Sequence, residues 1–119
     1  MRSQQNDTGI KAFTTSEAIV AHTRVKFGSG DILVEAAEAG EAAVGVAEHA
    51  AGSGEVVSVR LTNHPGTVRI VANDTFSVGD SLYGANDGEV SDSSSGTAYY
   101  IALEACTTAL DVVECLPIV

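Results

Sequence analysis

From Glu55 to Thr62 the chain alternates. Val57, Val59 and Leu61 fall on one parity, and Ser58, Arg60 and Thr62 on the other. A period of two with β-branched residues predicts a strand with one buried face. Asn63-His-Pro-Gly66 reads as a turn, and Thr67 to Ala72 as the return strand of a hairpin. Over Glu17–Phe27 a similar alternation puts Ile19, Ala21, Val25 and Phe27 on an apolar parity, with His22, Arg24 and Lys26 facing solvent. The stretch Glu35–Ala51 is rich in Ala and Glu, but Gly40 and Gly45 interrupt it. It reads as a turn or short helical piece at 35–41 followed by a strand at 43–48; a continuous helix is the competing reading. The run Ala85-Asn-Asp-Gly88 predicts a hairpin turn. Residues 98–105 and 111–115 predict a last pair of strands. The whole gives eight to ten short strands, an all-β small barrel or sandwich.

One pattern occurs twice. Phe27-Gly-Ser-Gly-Asp-Ile-Leu-Val-Glu-Ala36 and Phe76-Ser-Val-Gly-Asp-Ser-Leu-Tyr-Gly-Ala85 both read F-x-x-G-D-x-L-x-x-A. Each is an apolar anchor, a Gly-Asp turn and a short strand. Internal duplication and chance both account for it. Ahead of the strands, residues 1–16 are polar and mixed, broken by Ile10 and Phe13. They read as a flexible N-terminal arm that could order on a partner, or as a frayed terminus. The expected organisation is an arm over 1–16 and a single β domain over 17–119.

Composition narrows the picture. A chain of 119 residues, 45% hydrophobic but only 5% aromatic and without Trp, builds one core from Val, Ile, Leu and Ala. The net charge is −10, and no Lys or Arg follows Arg69, whereas Asp74, Asp80, Asp87, Glu89, Asp92, Glu104, Asp111 and Glu114 do. That half repels phosphate backbones and anionic membranes, so neither nucleic acid nor membrane is an expected partner. No apolar run approaches the roughly 20 residues that span a bilayer, and the first residues lack the apolar core of a secretory signal. Cys106 and Cys115 are expected to be buried free thiols, a cross-strand disulfide being the alternative.

Candidate chemistry is thin. The three histidines, His22, His49 and His64, have no metal-ligand spacing. The serines at 93–95 lie in a Gly-flanked polar loop, with no nucleophile elbow and no orienting base. No phosphate-cradling glycine motif occurs. No enzyme activity, metal or cofactor is expected.

The order of small motifs is informative. Val25-Lys26 precedes a Gly-rich turn, and an alanine-rich stretch ends in Gly45-Val-Ala47. Gly54-Glu-Val-x-x-Val59 follows, then Gly79-Asp-x-Leu-Tyr83 ahead of an Asn-Asp-Gly hairpin, and finally Val113-Glu-Cys-Leu-Pro117. In this order they resemble the capsid decoration (cement) proteins of tailed bacteriophages. Cys115 in the tail and the Ser-rich loop at 92–96 depart from the pattern. The resemblance implies a non-enzymatic protein on the virion capsid exterior, made in the host bacterial cytoplasm. It implies a homotrimer whose partner is the major capsid protein, and an arm in which Ile10, Lys11 and Phe13 help anchor the protein to the shell. The alternative reading is a β-barrel accessory domain that binds a small molecule or a protein.

Overall fold

The computed structural model describes residues 8–28 and 33–118. Ten strands run in chain order among them: β1 (Ile10–Thr15), β2 (Arg24–Phe27), β3 (Leu33–Ala36), β4 (Gly45–Ala47), β5 (Val56–Leu61), β6 (Val68–Val71), β7 (Ser81–Gly84), β8 (Val90–Ser91), β9 (Ala98–Ala102) and β10 (Val112–Pro117). The first five close into a barrel in the order β1-β3-β2-β4-β5. All its ladders are antiparallel except β1–β3, which is parallel. The second sheet has the order β6-β10-β9-β7-β8. Its two edges meet at a parallel bridge between Ala72 and Val90, so it is curled almost into a second barrel. Closure removes the unpaired edges that otherwise recruit foreign strands.

Each sheet encloses its own core. Phe13, Val25, Val34, Ala47, Val57 and Val59 fill the barrel. Ile70, Leu82, Val90, Tyr100, Val113 and Cys115 fill the second unit, joined there by Val46 from the barrel. The alternation read over 55–62 is present: Val57 and Val59 are fully buried. The pairing of strands 98–102 and 112–117 and the turn at 86–88 are present as well. The all-β barrel expectation therefore holds.

Three expectations are corrected. Residues 10–15 are no arm. They form β1, which pairs with β5 from Ile10↔Arg60 to Thr14↔Val56 and, with its β3 pairing, completes the barrel. Phe13 is buried because its side chain belongs to the barrel interior. Residues 1–7 lie outside the described part. Second, only 24–27 of the predicted strand 17–27 is a strand. His22 takes a left-handed φ of 62° that turns the chain into β2; Val25 keeps its inward face, while Arg24 on the outward face is buried under the second unit and Phe27 at the strand end is exposed. Third, β5 and β6 are not a hairpin. β5 pairs within the barrel and β6 with β10, so the Asn63–Gly66 turn is the crossing between the two units.

The repeated motif has unlike surroundings in its two copies. Phe76 is buried and bridges to Cys106, whereas Phe27 stands 60% exposed at the end of β2. At the second copy Gly79 has φ 87°, and the Asp80 carboxylate accepts from the Ser77 N–H at 2.9 Å. Gly30 and Asp31 of the first copy lie outside the described residues.

Candidate docking surfaces and what holds them

Strand register puts Ile10, Arg60, Val46 and Arg24 in one row across β1, β5, β4 and β2. Cross-strand partners share a face, and this row points out of the barrel; Val46 packs into the core of the second unit. Arg24 is the largest fully buried side chain among the described residues. Its Nε donates to the carbonyl of Glu89 (3.2 Å). Nη1 donates to Glu41 (3.1 Å), and Nη2 reaches the carbonyls of Ala85 (3.0 Å), Ala37 (3.4 Å) and Glu38 (3.4 Å). Burial pulls its pKa down, and the field of Tyr100 and then Glu41 partly opposes this. A planar fork of five N–H donors can satisfy carbonyls from both units at once; a lysine cannot. Gly84 is glycine for this reason: a Cβ there would stand 2.6 Å from Nη2. Sequence alternation placed Arg24 in solvent, and no local signal marks it as buried.

Backbone bonds complete the junction. Val71 N–H donates to His22 O, Gly88 N–H to Ala37 O and Gly40 N–H to Gly84 O. Asn86 and Glu38 side chains lock the turn at 86–88 against the loop at 38–39.

Beside this junction the two units leave an open cleft of about 670 Å³. Its walls carry Glu48 and Arg60 from the barrel side, and Arg69, Glu104 and Glu114 from the second sheet. Arg60 Nη1 lies 3.5 Å from Glu48 Oε1, an ion pair too loose for a hydrogen bond. Thr67 donates to Glu114 at 2.7 Å. His22 lines the same cleft, while the other two histidines are engaged locally. His49 Nε2 accepts from Ser58 N–H, which leaves Nδ1 to donate to Ala50 O, and His64 Nδ1 contacts Pro65 O. No group of three metal-ligating side chains exists among the described residues. Both cysteines are free and buried, and burial pushes the Cys115 thiol up to about 12.

The outer face of β9 and β10 carries apolar side chains beside Glu114. Leu116 stands opposite Ile101, which stands opposite Ser81. Ile118 donates its N–H to Tyr99 O, and Leu103 to Glu114 O. Leu103, Leu116 and Ile118 are 39–43% exposed. Of the residues the sequence pointed to, Ile10 is exposed at the end of β1, Lys11 is half-buried and on the inward parity, and Phe13 is buried. Phe13 meets the ring of Phe27 edge to face, centroids 6.0 Å apart. The structure does not gather these three on one surface.

Residues 3–116 match a protein family described as phage cement protein. No curated protein matches the chain. Among solved structures, the fold is similar to the N base of head fiber gp8.5 of bacteriophage phi29, with a TM-score of 0.80 and 18% identity over 92% of each chain. With the family match spanning nearly the whole described β-body, the chain belongs to the phage cement protein family.

Proposed function

We propose that this protein binds the outer surface of the phage head and stabilises it, with no catalytic role. The family match across residues 3–116 carries this reading. It is supported by a closed barrel joined to a curled sheet through a hydrogen-bonded junction, which gives a body that need not reorganise on docking. The major capsid protein is the partner, and the protein acts as a homotrimer after synthesis in the host bacterial cytoplasm. Many identical copies on one shell convert modest single contacts into a large collective effect. Ile10 and Lys11 contribute at the outer end of β1, and Phe13 acts through the barrel that holds them.

Co-sedimentation with mature heads lacking the protein tests this. Saturable pelleting at a fixed ratio to the capsid subunit, with heads that survive higher temperature, is the expected result. Absence of pelleting would overturn the reading.

A further inference from the structure

We infer that the apolar outer face of β9 and β10 is the surface that seats on the shell, against a patch that is apolar at its centre and basic at its border. This assignment rests on the capsid-binding reading. Ile101 and Leu103 of the β9 side and Leu116 and Ile118 of the β10 side share that face by register and by the bonds that continue it. A sheet covered on one side normally turns polar residues outwards. Here the inner side is filled by Tyr100, Ala102, Val113 and Cys115, and the outer side carries Ile101, Leu103, Leu116 and Ile118 around the single carboxylate of Glu114. Contiguous exposed apolar surface of this kind marks an interaction site.

Charge selects the partner. The face belongs to the part of the chain after Arg69, which holds eight carboxylates and no Lys or Arg. Glu114 stands on this face across from Leu103, Asp80 and Glu104 adjoin it, and Arg69, across from Glu114, is the cation at its edge. A surface of this charge accelerates encounter with a basic partner and repels an acidic one. It also argues against a second copy meeting it face to face, since that would set like charges opposite each other.

Co-sedimentation with heads lacking the protein separates this inference from the reading beneath it. Leu103→Ser combined with Leu116→Ser is expected to weaken head binding about tenfold or more. Leu116→Lys should weaken it further, and Leu116→Glu less than Leu116→Lys. Ser81→Lys, which removes no packing and adds a cation beside Ile101, should also weaken binding. Val20→Ser and Val56→Ser, on exposed barrel positions, should bind as the parent does. Added salt should lower the affinity of the parent chain. Failure of the parent to pellet overturns the capsid reading and this assignment with it. Parent-like pelleting of all the face variants overturns the assignment alone. If the face variants instead convert an oligomer into monomers in sedimentation velocity, the face belongs to a second copy and the assignment is wrong.

Discussion

The guanidinium of Arg24 donates to the carbonyl of Ala85, 3.0 Å away and 61 residues further along the chain. With its bond to Glu89, this joins β2 of the barrel to the turn after β7 in the second unit. Replacing Arg24 by Met keeps the apolar stem and removes every donor. Five carbonyls then lose a partner, in a place water reaches poorly. The expected loss is about 3–5 kcal/mol of unfolding free energy, measurable by urea denaturation. Arg24→Lys should recover only a minor part, because an ammonium is a point donor and cannot span the fork. A lysine variant as stable as the parent would show that charge alone suffices.

Gly84 provides a test of geometry. A methyl group there meets Nη2 and Cζ of Arg24 at 2.6 and 2.7 Å, and the guanidinium is pinned by its five acceptors. Gly84→Ala should cost about 1–3 kcal/mol. In an Arg24→Ala background it should cost far less, so a double-mutant cycle should show strong coupling. Gly54 is the contrast. It has φ 80° and open space around its Cα, so Ala there costs only the left-handed backbone term, about 1 kcal/mol, and should not couple to Arg24.

Most of the architecture is legible in the sequence, because short strands write their burial in a period of two. Val57 and Val59 follow from that pattern alone. Arg24 does not. The alternation puts it on the outward face of the barrel, where it does stand, but the second unit covers that face, and no local pattern records a contact made 61 residues away. Nor does the pattern tell which strands pair. Thr67–Ala72 has the composition of a return strand for β5, yet it joins β10, some 40 residues later by the Val71↔Val112 pairing. The β1 segment failed for a related reason. Lys11, Thr14 and Thr15 read as polar, but Thr15 is buried with its hydroxyl donating to Gly52 O at 2.6 Å. The apolar outer face of β9–β10 was hidden because a strand apolar on both faces has no alternation to read.

Stability should fall as pH rises above about 8.5. Burial pushes the Cys115 thiol up to about 12 in the folded protein, against about 8.5 in an unfolded chain. The raised value means that the folded state holds its proton while the unfolded state releases it. The contribution is therefore fully present below the unfolded pKa and declines as pH rises toward the folded one, by up to about 1.4 kcal/mol per pH unit. Tyr100, also pushed up to about 12 by burial, adds a second decline beginning near pH 10. Thermal melts from pH 7 to 10.5 should show this slope. Cys115→Val should flatten the part between pH 8.5 and 10, and Tyr100→Phe the part above. A slope unchanged in both variants would assign the loss to other groups.

The barrel's first strand sets the terms for any truncation. Phe13 is buried, and Phe13→Ala should cost about 3–5 kcal/mol. Phe27, its exposed edge-to-face partner, should cost only about 0.5–1.5 kcal/mol. Deleting residues 1–16 removes β1, opens the barrel at both β3 and β5, and exposes their ladder groups. Such a chain should lose head binding through loss of fold, which circular dichroism would reveal as a lost transition. Deleting residues 1–7 leaves β1 in place, and its melting curve is measured beside that of the parent. Head binding by that shorter deletion then reports on the terminal residues alone. Ile10→Ser and Lys11→Ser report on the outer end of β1 without disturbing Phe13. Weakened pelleting with an unchanged melt would give that end a direct contact with the shell. Parent-like pelleting by both variants would confine β1 to closing the barrel.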